Sequence, residues 1–97
     1  MDVRISARVR EKLELKHGVT PLEVYQCFLN RDGPSFRDNR EDHETDPPTQ
    51  WFIAETDHGR KLKVVYVQYP DFFAIKSAFE PTQKWVTDYE TLCVQHS

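Results

Sequence analysis

At 97 residues the chain has the length of one domain with a single modest core, too short for two. With 30% charged and 38% hydrophobic residues it reads as a small soluble globule, and no run approaches the roughly 20 apolar residues a membrane-spanning helix needs. A formal net charge of −3 gives no global attraction for nucleic acid, so any RNA contact has to come from a local patch.

The opening MDVRISARVREK is far too polar for a signal peptide, which makes a cytoplasmic protein the expectation. Val3-Arg4-Ile5 reads as a short strand or an extended lead-in. Ser6 is placed as a helix N-cap, with Val9, Leu13 and the stem of Lys16 following at helical spacing. Gly18 ends this helix just after Lys16 and His17, whose basic groups suit the negative end of its dipole. A second helix starts at once: Thr20 caps it, Pro21 takes its first position, and Glu23 completes a capping box. Leu22, Tyr25 and Leu29 form its apolar stripe, widened by Val24 and Phe28. Cys27 lies in an apolar helical context and reads as a buried thiol rather than a nucleophile. Cys27 and Cys93 form no CxxC and no regular spacing with the histidines, so neither a disulfide framework nor a zinc site is expected.

Arg31-Asp32-Gly33-Pro34 is a turn, and Ser35-Phe36 fits a brief edge strand. Residues 37–50 are crowded with charge and carry two prolines, a composition that cannot bury a core and predicts a flexible charged loop without metal ligands. Three apolar runs follow, over 51–57, 61–68 and 72–78, separated by Asp57-His58-Gly59-Arg60 and by Tyr69-Pro70-Asp71. Both interruptions are turn chemistry, and the runs are rich in residues that suit a pleated surface. They predict an antiparallel meander.

Alternation assigns Trp51, Ile53, Leu62, Val64, Tyr66, Phe73 and Ile75 to the core side, and Phe52, Ala54, Lys63, Val65 and Lys76 to the other. A second hairpin turning about Tyr69-Pro70 sets Lys63 and Lys76 nearly opposite each other. An anion there would relieve their repulsion; equally, two lysines can simply keep a sheet soluble. Trp85, Tyr89 and Leu92 then mark one face of a closing helix. The predicted fold is α+β: a single domain over 1–97, in which a helical hairpin and a C-terminal helix cover one face of a three- to four-stranded antiparallel sheet.

Taken together in order, several short motifs resemble the BrnT-type toxins. They are Lys16-His17-Gly18-Val19-Thr20 with Glu23-Val24 and Phe28, then Trp51-Phe52-Ile53, Gly59-Arg60, Leu62-Lys63-Val64-Val65-Tyr66 and Ile75-Lys76-Ser77-Ala78. The resemblance covers most of the chain. It implies a RelE-like fold and a metal-independent endoribonuclease, the toxin of a type II toxin–antitoxin system, acting on RNA and neutralised by an antitoxin protein. Where the family's third strand ends in Ile-Ser-Ala-Arg, this chain has Lys76-Ser77-Ala78-Phe79, with Glu80 next.

RNA cleavage without a metal or other cofactor requires a base, a cation for the phosphate and an acid for the leaving oxygen. Arg60, which matches the family's Gly-Arg, is the candidate phosphate clamp. Lys63 and Lys76 are candidates to stabilise transition-state charge, and Glu80 or His17 to act as base. Tyr89 could supply a proton, and Phe36, Phe52 and Phe72 could stack bases. Each has a plain structural alternative: a turn residue for Arg60, a helix-terminal histidine for His17, core packing for the aromatics. As a turn residue in water, Arg60 could be truncated with little loss of stability. A non-catalytic protein-binding module of the same fold is the competing function.

Overall fold

A computed structural model of the protein describes residues 2–38 and 47–95, and its first half is set by capping chemistry. The short strand β1 (Asp2–Arg4) leads to Ser6, whose hydroxyl accepts from the Val9 amide at 3.2 Å and starts α1 (Ala7–Lys12). α1 widens into a π-helical turn, Leu13–His17, which stops at Gly18 with φ of 60°, a left-handed conformation that glycine adopts without steric cost. Thr20 then caps α2 (Pro21–Asn30). The Glu23 amide donates to Thr20 Oγ1 at 3.2 Å, and the Thr20 amide donates to the Glu23 carboxylate at 3.1 Å.

The remaining elements are β2 (Phe36–Arg37), β3 (Thr49–Glu55), β4 (Lys61–Gln68), β5 (Phe72–Phe79) and α3 (Gln83–Gln95). They complete an α+β fold around one sheet in the order β1-β5-β4-β3-β2. β5, β4, β3 and β2 pair antiparallel, as the turn chemistry requires, while β1 adds in parallel to β5 at the edge. Among the described residues the sheet thus has five strands, not three or four. Most of the charged loop predicted over 37–50, with its lack of metal ligands, falls on 39–46, outside the described residues; β3 begins at Thr49, two residues before its predicted start.

Helices cover both faces. Phe52 pairs with Val64 and Ala54 with Leu62, and Tyr66 pairs with Ile75, so these side chains share one side. α2 packs there, with the Phe28 ring 4.9 Å from Phe52, 5.4 Å from Tyr66 and 5.1 Å from Phe73. Trp51 pairs with Val65 and Ile53 with Lys63 on the opposite side, where α3 brings Trp85 to 5.4 Å and Tyr89 to 5.6 Å from the Trp51 ring. The expected two-layer arrangement is therefore corrected to three layers. β3 is corrected as well: Phe52 and Ala54, not Trp51 and Ile53, join Leu62, Val64 and Tyr66. The cause is physical, because Trp51, Phe52, Ile53 and Ala54 are all buried and the run has no polar phase to reveal its orientation.

The stripe on α2 also turns out differently. Val24 and Cys27 are fully buried against the sheet, whereas Leu22 and Leu29 of the predicted apolar stripe are 62% and 85% exposed. No helix among the described residues is long and apolar enough to cross a membrane.

These assignments separate two substitutions in chemical denaturation. Phe52→Ala, emptying a fully buried site, is expected to cost about 3–5 kcal/mol. Leu29→Ala is expected to stay within about 0.5 kcal/mol of the parent. A large loss at Leu29 would return the stripe to the core.

Candidate functional site

Arg60 follows the β3–β4 turn, in which the Thr56 amide donates to the Arg60 carbonyl at 2.9 Å and the Arg60 amide to Thr56 Oγ1 at 3.2 Å. It lies in phase with Leu62 and Val64, so its side chain runs towards the helical hairpin. The guanidinium fills a gap that the two helices leave between them. The π turn ends with carbonyls that have no helical partner, at the negative end of a helix dipole, and α2 begins with the Glu23 carboxylate. Nη2 donates to the His17 carbonyl at 3.3 Å, and Nη1 to the Gly18 carbonyl at 2.9 Å and to Glu23 Oε2 at 3.0 Å. Nε donates to Glu80 Oε1, just past the end of β5, at 2.7 Å. Each nitrogen of the fork is bonded within the protein, and one residue ties a helix end, a helix start and a strand end together.

The electrostatics agree with this reading. The hydrogen bond to Glu80 raises the Arg60 pKa, with Glu23 adding to the effect against a smaller opposing contribution from burial. Partial burial pushes the Glu23 carboxyl upward, but the Thr20 amide and Arg60 outweigh it and hold it below its ordinary value. An incoming phosphate would have to displace two carboxylates and then sit beside their charge. The picture of Arg60 as a turn residue bonded only to water is thus corrected.

Of the residues proposed from sequence, His17 and Glu80 join Arg60. The His17 ring lies 5.5 Å from the Phe79 ring, and burial, followed by the charges of Lys12 and Lys16, lowers its pKa and favours the neutral imidazole. Glu80 keeps 63% of its side chain exposed while holding Arg60.

The two lysines lie elsewhere. Lys63 is only 3% exposed on the α3 side, its ammonium 3.3 Å from the ring centroid of Trp85, 4.9 Å from Trp51 and 5.7 Å from Phe79. A cation is favourable there because the ring faces offer negative potential in place of water. Its neighbour across β5 is Phe79, so the predicted near-opposition of Lys63 and Lys76 is corrected. The turn accounts for most of the change: it lies at Pro70-Asp71, with the Tyr69 amide donating to the Phe72 carbonyl at 2.8 Å. A bulge where Val65 faces Ser77 and Tyr66 faces Ile75 moves the pairing one residue further and leaves Lys76 as the extra residue, exposed on the strand.

Among the other candidates, Tyr89 belongs to the core on the α3 side, where it donates to the Pro34 carbonyl at 2.8 Å and burial raises its pKa. Phe52 is fully buried, Phe36 packs on Trp51 and Tyr89, and Phe72 is held between Arg4 and Tyr69. The Cys27 thiol donates to the Ala54 carbonyl at 3.6 Å, and burial pushes its pKa up to about 12, which keeps it an unreactive thiol at neutral pH.

Sequence reasoning missed the second role of Glu23. Its position in the capping box was legible, but nothing local links it to an arginine 37 residues away. Comparison with known proteins finds no family model and no curated protein that matches the chain.

Removing the guanidinium leaves Glu23 with its Thr20 bonds alone and takes the Arg60 bonds from two carbonyls; the Glu80 contact adds little because it is exposed. Arg60→Ala is expected to cost about 2 kcal/mol, within the range of a hydrogen bond to a charged group, and Arg60→Lys should not restore it because an ammonium lacks the planar fork. The Glu23 pKa is depressed on folding, so its share is complete above its ordinary 4.5 and is lost as pH falls through the lower folded value. The gap between the parent and Arg60→Ala in urea unfolding should therefore narrow in acid, while the share of the two carbonyl bonds remains. A gap below about 0.5 kcal/mol at neutral pH would restore Arg60 as a free turn residue.

Proposed function

We propose that this chain works by binding a partner protein, as the non-catalytic module of the toxin-like fold that its sequence resembles, in the cytoplasm and opposite an antitoxin-type partner. The observation that carries this reading is the outward stripe of α2. Leu22, Tyr25 and Leu29, spaced on one side of the helix, are 62%, 39% and 85% exposed, with Leu15 of the preceding turn at 78%. Large apolar side chains grouped in this way on a small domain favour a protein interface. The closed bonding of Arg60 and the net charge of −3 weigh in the same direction, against tight binding of RNA.

The second reading is the metal-independent endoribonuclease toxin. It is favoured by the meeting of Arg60 with the Glu80 carboxylate and the His17 carbonyl, from residues distant in sequence, with the His17 ring on the neighbouring Phe79. In that chemistry the neutral imidazole of His17 or the Glu80 carboxylate would take the 2′-hydroxyl proton. Arg60 would have to exchange a carboxylate for the scissile phosphate.

Purified protein incubated with single-stranded RNA, alongside growth of bacteria expressing the chain alone, separates the two. Protein binding predicts intact RNA and unimpaired growth. It also predicts a stable complex with the product of an adjacent antitoxin gene, abolished by Leu22→Asp/Leu29→Asp in a variant that retains its melting temperature. RNA cleavage lost in Glu80→Gln would establish the nuclease instead.

A further inference from the structure

An open cleft of about 710 Å³ lies between α3, the end of β3 and the connection from α2 to β2. Its floor is apolar, with Ile53, Val86 and Tyr89 buried beneath it and the Cys93 thiol half-buried in its wall. Its rim is acidic. Asp32, Glu55, Asp57 and Glu90, all exposed, stand around it, with Lys61 the one basic lining residue among the described residues.

Each carboxylate comes from a different element: the α2–β2 connection, β3, the β3–β4 turn and α3. The Asn30 amide anchors this side by donating to the Glu55 carbonyl at 3.0 Å and to Asp57 Oδ1 at 2.9 Å. Carboxylates spread around an apolar floor do not converge on a point, as a metal ion or a single ammonium would need. They match a longer ligand that carries positive charge at its margins and apolar groups between. Such a rim steers and orients a cationic partner, while the desolvated floor supplies the affinity.

We propose that this cleft docks a basic amphipathic segment of a partner protein, lysine or arginine alternating with aliphatic residues; this rests on the protein-binding reading and names the chemistry of the partner. The site is separate from the Arg60 corner and from the exposed stripe of α2.

Fluorescence anisotropy of the full chain with a short peptide alternating lysine and leucine tests it, with a lysine–serine peptide of equal charge as control. The lysine–leucine peptide should bind, and more weakly as salt rises. Glu55→Gln/Glu90→Gln, two exposed changes whose fold is checked by circular dichroism, should weaken it about tenfold or more. The bound peptide should slow alkylation of Cys93 by iodoacetamide, with Cys27 silent because it is buried. Undiminished binding to the glutamine variant, equal binding of the lysine–serine peptide, or a Cys93 rate unchanged at saturation would each overturn the proposal. Displacement of the peptide by spermidine at equal concentration would overturn it too, assigning the cleft to a small polyamine. RNA cleavage by the same preparation bears on the protein-binding reading and not on the cleft, so the two failures are distinguishable.

Discussion

The guanidinium of Arg60 is the interaction on which the arrangement of this small domain depends. The apolar face of α2 packs the helical hairpin on the sheet, but the end of the π turn leaves carbonyls without a helical partner. Arg60 supplies that partner. It donates to the carbonyls of His17 and Gly18 and to the Glu23 carboxylate, and through Glu80 it reaches the end of β5. The positive charge lies at the negative pole of one helix and beside the carboxylate at the positive pole of the next, so the local dipoles and the hydrogen bonds favour the same geometry.

The sheet follows a comparable logic on its other face. Lys63 occupies a position that the pairing turns inwards, and the chain accommodates it with the Trp85 and Trp51 rings instead of exposing it. Two of the cations that sequence reasoning set aside for phosphate are thus held by the protein itself, one by carboxylates and carbonyls, one by aromatic faces. The third, Lys76, is exposed at a bulge.

What could be read from the sequence was what local chemistry determines. Ser6, Gly18 and the Thr20–Glu23 box fix the helix limits within a few residues of themselves, and Gly59 and Pro70 mark the turns of the meander. The α+β class followed from those pieces. The orientation of β3 did not, since Trp51 to Ala54 are buried on both sides and alternation then carries no information. The bulge at Lys76 was equally hidden; it depends on how two strands fit, not on a residue type. Of the five candidates, His17, Arg60, Lys63, Lys76 and Glu80, the structure joins Arg60 to Glu80 and to the His17 carbonyl, and that bonding was not legible. Those contacts span 20 to 43 residues, and they turn a nominal phosphate clamp into a bolt between elements.

The most direct test of that claim is a double-mutant cycle between Arg60 and Glu23, using Arg60→Ala, Glu23→Gln and the double variant in urea unfolding at neutral pH. Strong non-additivity is expected, with a coupling energy of about 1 kcal/mol or more, as for residues sharing a half-buried charged network. Additive losses, with coupling near zero, would contradict it and leave the guanidinium as a side chain that merely rests where the helices meet.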